Sequence, residues 1–144
     1  MEGFQESLVT ASSGESAPRA FRMRLDAHSC ALGKAILAHK TRDELKEIYK
    51  SYSLHKHTKN TITTLDKLII DLQRVRKNGY SLNEAETFDY VYGIGAPIID
   101  SQNRAIAAIS ISGTKGSINI RSVVELSKEV TRTARLISSK LLDN

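Results

Sequence analysis

The clearest periodicity in the chain runs from Leu65 to Val75. There Leu65, Leu68, Ile69, Leu72 and Val75 recur at the three- and four-residue spacing of one helix face, and Asn78-Gly79 supplies a stop. A second stripe, Val123, Leu126, Val130, Ala134, Ile137 and Leu141, predicts a long amphipathic helix near the C-terminus. Two shorter helices are predicted before these. One runs from His28 to His39, with Ala31, Ala35 and Ala38 on a narrow stripe and Ser29 as its cap. The other follows Thr41-Arg-Asp-Glu44, a capping-box spacing that precedes Leu45, Ile48, Tyr49 and Tyr52 on one face.

Period-two alternation marks the strands. Phe21, Met23 and Leu25 alternate with Arg22 and Arg24, which predicts a half-buried strand, and the Ser- and Gly-rich run from Thr10 to Pro18 before it reads as a flexible loop. The polar stretch Ser53 to Thr61 reads as a second loop. Strands are predicted over Tyr80 to Glu86, Phe88 to Asp100 and Ala105 to Ser112, with Asp100-Ser-Gln-Asn103 as the turn between the last two. The order is strand, helices, three-strand meander and closing helix, an α+β arrangement.

Composition narrows the class. The 144 residues suit one domain, and 40% hydrophobic with 26% charged residues is the balance of a globular chain that buries a core. Lys and Arg number 21 against 16 for Asp and Glu, and the resulting +5 fits either a nucleic-acid partner or an ordinary solvated surface. Cys30 is the single cysteine, so neither an internal disulfide nor a paired-cysteine zinc site can form. Apolar runs such as Ile94 to Ile99 fall far short of the ~20 residues that span a bilayer. The start, Met1 to Glu6, lacks the basic and apolar regions of a signal peptide. A cytoplasmic protein without a membrane anchor is expected.

Most chemical motifs fail their own requirements. Gly33-Lys34 lacks the preceding Gly and following Ser or Thr of a phosphate loop, where His28 and Ala35 stand instead. Gly93-Ile-Gly95 runs on into a strand and opens no helix, unlike a dinucleotide fingerprint. Cys30 and His28 sit two apart on a helix and face different ways, so a buried structural thiol is expected rather than a nucleophile with its base. His55-Lys-His57 has the spacing of a metal pair on a strand but lies in polar loop, and His28 reads as a capping or core histidine. No metal or cofactor is expected. Glu84 and Glu86 share a face if extended, a spacing compatible with acid-base work or with a solvated edge. No Gly-x-Ser-x-Gly elbow occurs. A non-enzyme is expected, and a small enzyme acting through Cys30 or Glu86 is the distant alternative.

Small side chains carry the stronger signal. On the Ala105 to Ser112 strand one face holds Ala107, Ile109 and Ile111, and the other holds Ala108, Ser110 and Ser112. A turn centred on Gln102-Asn103 sets Ser110 opposite Gly95, Ser112 opposite Gly93 and Ala108 opposite Pro97. Two strands then share a patch with almost no side-chain volume, which a close-lying helix or a ligand must cover because cores pack near crystal density. The helix beginning at Ser29-Cys30-Ala31 adds unpaired N–H groups and a partial positive charge. A carboxylate held by those groups and by the Ser110 and Ser112 hydroxyls, with Leu32, Met23 or Phe21 around its apolar part, describes a small organic-acid site.

Taken in order, His28-Ser-Cys-Ala-Leu-Gly-Lys-Ala35, Thr61-Ile-Thr63, Gly79-Tyr-Ser81, Asn83-Glu-Ala-Glu86, Gly95-Ala-Pro-Ile98 and Ala108-Ile-Ser-Ile-Ser-Gly113 resemble the C-terminal effector-binding domain of the IclR family of bacterial transcription regulators. The likeness runs from about Phe21 to Leu141. It implies a GAF-like antiparallel sheet flanked by helices. It divides the chain into residues 1–19, a partly flexible remnant of the domain's truncated beginning, and residues 20–144, the effector-binding domain, with the winged helix-turn-helix domain absent from this chain. The family pocket maps onto Ala31 and Leu32 at the helix start, Asn83 and Gly93 in the middle, and Ser110 and Ser112 on the last strand, and Cys30 and Glu86 complete the expected effector-binding set. Relatives that bind small keto acids have Asp and Cys where this chain has Asn83 and Gly93, so the effector's identity does not carry over. The resemblance implies a small-molecule effector, which the small-residue pattern makes a carboxylate, and self-association into a dimer or tetramer, with DNA reached only through the absent domain. A dimerisation module that binds no ligand is the competing reading.

Overall fold

A computed structural model describes the backbone of residues 5–10 and 21–142, with side chains from Arg24 onward as far as Leu142. The predicted loop between Thr10 and Pro18, beyond Thr10 itself, and the side chains of Phe21 and Met23 lie outside the described residues. Ten elements follow in order: strands β1 (Gln5–Thr10) and β2 (Phe21–Asp26), a single 3₁₀ turn (Ala27–Ser29), helices α1 (Ala31–Leu37), α2 (Arg42–Ser51) and α3 (Leu65–Asn78), strands β3 (Ser81–Glu84), β4 (Tyr92–Ile99) and β5 (Ala105–Gly113), and helix α4 (Val123–Leu142). β1 pairs antiparallel with β2, from Gln5 opposite Asp26 to Thr10 opposite Phe21. β3, β4 and β5 form a separate antiparallel sheet in sequence order. Among the described residues no helix is long and apolar enough to cross a membrane.

Both faces of the three-stranded sheet are covered. Ile94, Ala96 and Ile98 stand opposite Ile111, Ile109 and Ala107, and most of these side chains pack with Ile118 and with Val130 and Ala134 of α4. A second core lies around α1, α2 and α3, where Ala27, Leu37, Leu45, Leu68, Leu72 and Val75 are buried together. The helical stripes therefore predict most of the buried faces, and Tyr49 packs against this second core, whereas Tyr52 and Leu141 at the ends of their stripes are exposed. The capping box forms as expected, Thr41 Oγ1 accepting from the Glu44 N–H and Glu44 Oε1 accepting from the Thr41 N–H. Gly79 closes α3 in the left-handed conformation at φ 83°.

Three expectations shift. The cap of α1 is Cys30 and not Ser29: Cys30 has extended backbone and its Sγ accepts from the Gly33 N–H, while Ser29 is drawn into the 3₁₀ turn by its hydroxyl donating to the Asp26 carbonyl. The helix contracts to Ala31–Leu37 accordingly. The strand expected from Phe88 begins only at Tyr92, because Ala85 takes a left-handed φ of 56° and the chain turns between β3 and β4, closed by Ala85 N–H to the Val91 carbonyl. A bulge at Ile98/Ile99 then tightens the hairpin into the Asp100–Asn103 turn, whose Asp100 carboxylate accepts from the N–H groups of Gln102 and Arg104.

Candidate functional site

The register sets the predicted small-residue patch as two rungs across the sheet. Asn83 pairs with Gly93 and Gly93 with Ser112; one rung inward, Ser81 pairs with Gly95 and Gly95 with Ser110. Ala108 stands opposite Pro97 as the turn predicted. This face carries α1, so the close-lying helix covers the inner rung. A Cβ added to Gly95 would sit 2.6 Å from the Ala31 carbonyl oxygen and 2.8 Å from Ser81 Oγ, which leaves no room for any other residue there. Gly33 allows the same approach on the other side of the helix, where a Cβ would fall 2.3 Å from Ala27 backbone. Ser81 Oγ donates to the Ala31 carbonyl at 2.5 Å and fastens helix to sheet.

The outer rung is looser. A Cβ on Gly93 would find Ala31 Cβ and Ser112 Oγ both at 3.5 Å, ordinary contact distance, so Ala31, Gly93 and Ser112 surround one small space. Ser112 is exposed and Ser110 half-buried, whereas Cys30, Ala31 and Asn83 are buried and Leu32 is half-buried. Seven of the eight predicted residues, Cys30, Ala31, Leu32, Asn83, Gly93, Ser110 and Ser112, thus lie on the α1 start or on the two rungs beneath it. The dipole part of the sequence argument weakens, because α1 has only seven residues and Cys30 Sγ already holds one of its first N–H groups.

Glu86 has a different environment. Lys34 Nζ lies 3.0 Å from both its carboxylate oxygens and 2.9 Å from Asp71 Oδ2, and the Glu84 N–H donates to Glu86 Oε2. Burial pushes the Glu86 carboxyl up, against the opposing pull of Lys34 and the Glu84 N–H. Its backbone N–H donates to Asn83 Oδ1 at 2.9 Å, so Glu86 bears on the rung through Asn83. The Thr58–Thr61 segment holds this turn from outside: Thr58 Oγ1 donates to the Ala85 carbonyl and Thr61 Oγ1 to that of Glu86. Thr87 Oγ1 donates to the Ser29 carbonyl and ties the same turn to the start of α1. Ser81, Thr61 and Thr87 are the residues that sequence reading passed over; the Thr61-Ile-Thr63 and Gly79-Tyr-Ser81 motifs were the available signal. Two clefts of about 400 and 820 Å³ open elsewhere, and of the predicted residues only Glu86 borders either.

His28 is fully buried, and its Nε2 donates to the His55 carbonyl at 2.9 Å. Burial holds the ring below the ordinary histidine range. His57 is exposed in a loop as expected, yet its Nε2 reaches inward to within 2.7 Å of the buried Asp26 Oδ2.

An antiparallel sheet with one helix seated on small residues and another on the aliphatic face defines an α+β domain. Residues 17–139 match the family model "Bacterial transcriptional regulator IclR C-terminal", and the chain belongs to the IclR family. It is 33% identical over 111 residues to the HTH-type transcriptional regulator BhcR of Paracoccus denitrificans, a match covering 77% of this chain and 40% of that protein. The chain therefore spans less than half the length of that relative. The crystal structure of Thermotoga maritima IclR superposes with a TM-score of 0.81 at 32% identity, over 98% of this chain and 58% of the other. A double mutant of the inducer-binding domain of the transcription factor PobR from Acinetobacter, in complex with 3-hydroxybenzoic acid, superposes with a TM-score of 0.73 at 27% identity, over 80% of this chain and 66% of the other.

Proposed function

We propose that this domain binds a small carboxylate effector at the outer rung, with Cys30, Ala31 and Leu32 above it, Asn83 and Gly93 beneath, the Ser112 hydroxyl at its open end and Ser110 on the neighbouring inner rung, Glu86 fixing Asn83 from behind. The observation that carries the reading is the convergence of Ala31, Gly93 and Ser112 on one small space that the Ser112 hydroxyl borders. The PobR inducer-binding domain, solved with an aromatic carboxylic acid, supports the ligand class. In the intact regulator, effector binding favours one arrangement of a self-associated dimer or tetramer and so alters how attached DNA-binding domains sit on their operator. A preference of about 1.4 kcal/mol for one arrangement changes the ratio tenfold.

Amide NMR tests this directly. Titration with 3-hydroxybenzoate and with a panel of sugar acids and short carboxylates should shift the Cys30, Ala31 and Ser110 signals for at least one acid. A panel that leaves all three unmoved overturns the reading in favour of a dimerisation module whose small-residue patch is filled by its own helix, the reading that the close seating of Ala31 over Gly95 favours.

A further inference from the structure

Two buried acceptor atoms lie at the end of β2. Among the described residues, Asp26 Oδ1 and His28 Nδ1 find no hydrogen-bond partner, although Asp26 is 5% exposed and His28 not at all. Leaving such groups unmatched is costly, so buried polar atoms ordinarily meet something. The His28 tautomer is set by its other nitrogen: the His55 carbonyl can only accept, so Nε2 carries the proton and Nδ1 presents a lone pair. A carboxylate oxygen and an imidazole lone pair cannot satisfy one another, since both accept. His57 completes the group, and one donor atom from each of Asp26, His28 and His57 lies within 4.8 Å of the others.

We propose that Asp26, His28 and His57 bind one divalent transition-metal ion of the zinc type. Two imidazole nitrogens and one carboxylate oxygen are a donor set that zinc accepts, and three protein ligands leave a fourth position for water or another small oxygen donor. The His55 carbonyl orients the His28 ring as outer carbonyls commonly orient metal-bound histidines. On binding, His57 turns its Nε2 lone pair to the ion in place of its present hydrogen bond to Asp26 Oδ2. The ion joins two segments distant in sequence: the end of β2 with the 3₁₀ turn that follows it, and the 55–57 loop whose neighbours Thr58 and Thr61 hold the 84–87 turn. The proposed ion stands against the sequence expectation of no metal and is held by residues other than those of the carboxylate site.

The test is zinc titration of the chelator-stripped 144-residue chain by calorimetry with a competing chelator, with Co(II) absorption as a spectroscopic readout. One ion per chain is expected, with a Co(II) spectrum of mixed nitrogen and oxygen ligation. His57→Gln, in a loop and one-third exposed, keeps the fold by circular dichroism and should weaken binding at least about tenfold while changing the Co(II) spectrum. Asp26→Asn, which retains shape and hydrogen bonding, should do the same. Absence of zinc binding in the unmodified chain, or stoichiometric binding with unchanged affinity and spectrum in His57→Gln, overturns the assignment.

Discussion

Lys34 Nζ stands 3.0 Å from both carboxylate oxygens of Glu86, and the two side chains are only 2% and 6% exposed. The pair joins α1 to the turn that carries Asn83, 52 residues further along the chain. Breaking one half of a buried ion pair leaves the other charge without compensation, and Lys34→Met should cost about 3 to 5 kcal/mol. Adding Glu86→Gln removes that charge while keeping an acceptor for the Glu84 N–H. The double variant should therefore be more stable than Lys34→Met alone in urea denaturation. A double variant no more stable than the single one would show that packing of the lysine stem, and not charge, holds this corner.

Gly93 and Gly95 lie on the same face of one strand yet should respond oppositely to alanine. Gly95→Ala drives a Cβ into the Ala31 carbonyl at 2.6 Å, backbone that cannot move without lifting α1 from the sheet, and should cost about 1 to 3 kcal/mol. Gly93→Ala meets only ordinary contacts at 3.4 to 3.5 Å and should change stability by less than about 0.5 kcal/mol. The same methyl occupies the space between Ala31 and Ser112, so any carboxylate-induced NMR shift seen in the unmodified chain should weaken in Gly93→Ala. Thermal melts and the acid titration, run on both variants, check the two halves separately.

His39, at the C-terminal end of α1, has its imidazole held below the ordinary value of 6.5 by burial and then by the Arg76 charge. The folded chain takes up this proton less readily than the unfolded chain. Its contribution to stability is therefore complete above the unfolded value and is lost as pH falls below it through the folded value. Between about pH 7.5 and pH 5, His39→Gln should lose less stability than the unmodified chain, the difference isolating this group from others that titrate in the same range. Parallel losses in the two proteins would contradict the assignment.

Periodic and local features were legible in the chain itself. The stripes of α3 and α4, the capping box at Thr41 and the Gly79 stop follow from side-chain spacing and backbone preference, which act over a few residues. The register of β4 on β5 was legible too, because a short turn at Asp100–Asn103 admits few pairings, and Gly93 opposite Ser112 follows from counting. Seven candidate site residues could be placed together by that counting and by family likeness. Which cover lies over the small-residue patch depended on tertiary packing: α1 sits on the inner rung because Gly33 and Gly95 permit backbone approach from both sides, an outcome set by two segments 62 positions apart. The partners of Glu86, Asp26 and His28 were equally hidden, since a buried charge or lone pair is matched by whatever the fold brings within about 3 Å, irrespective of sequence spacing. Spacing and turn length thus determined the elements and their register, while the docking of α1 and the pairing of buried polar groups were decided only when distant segments met.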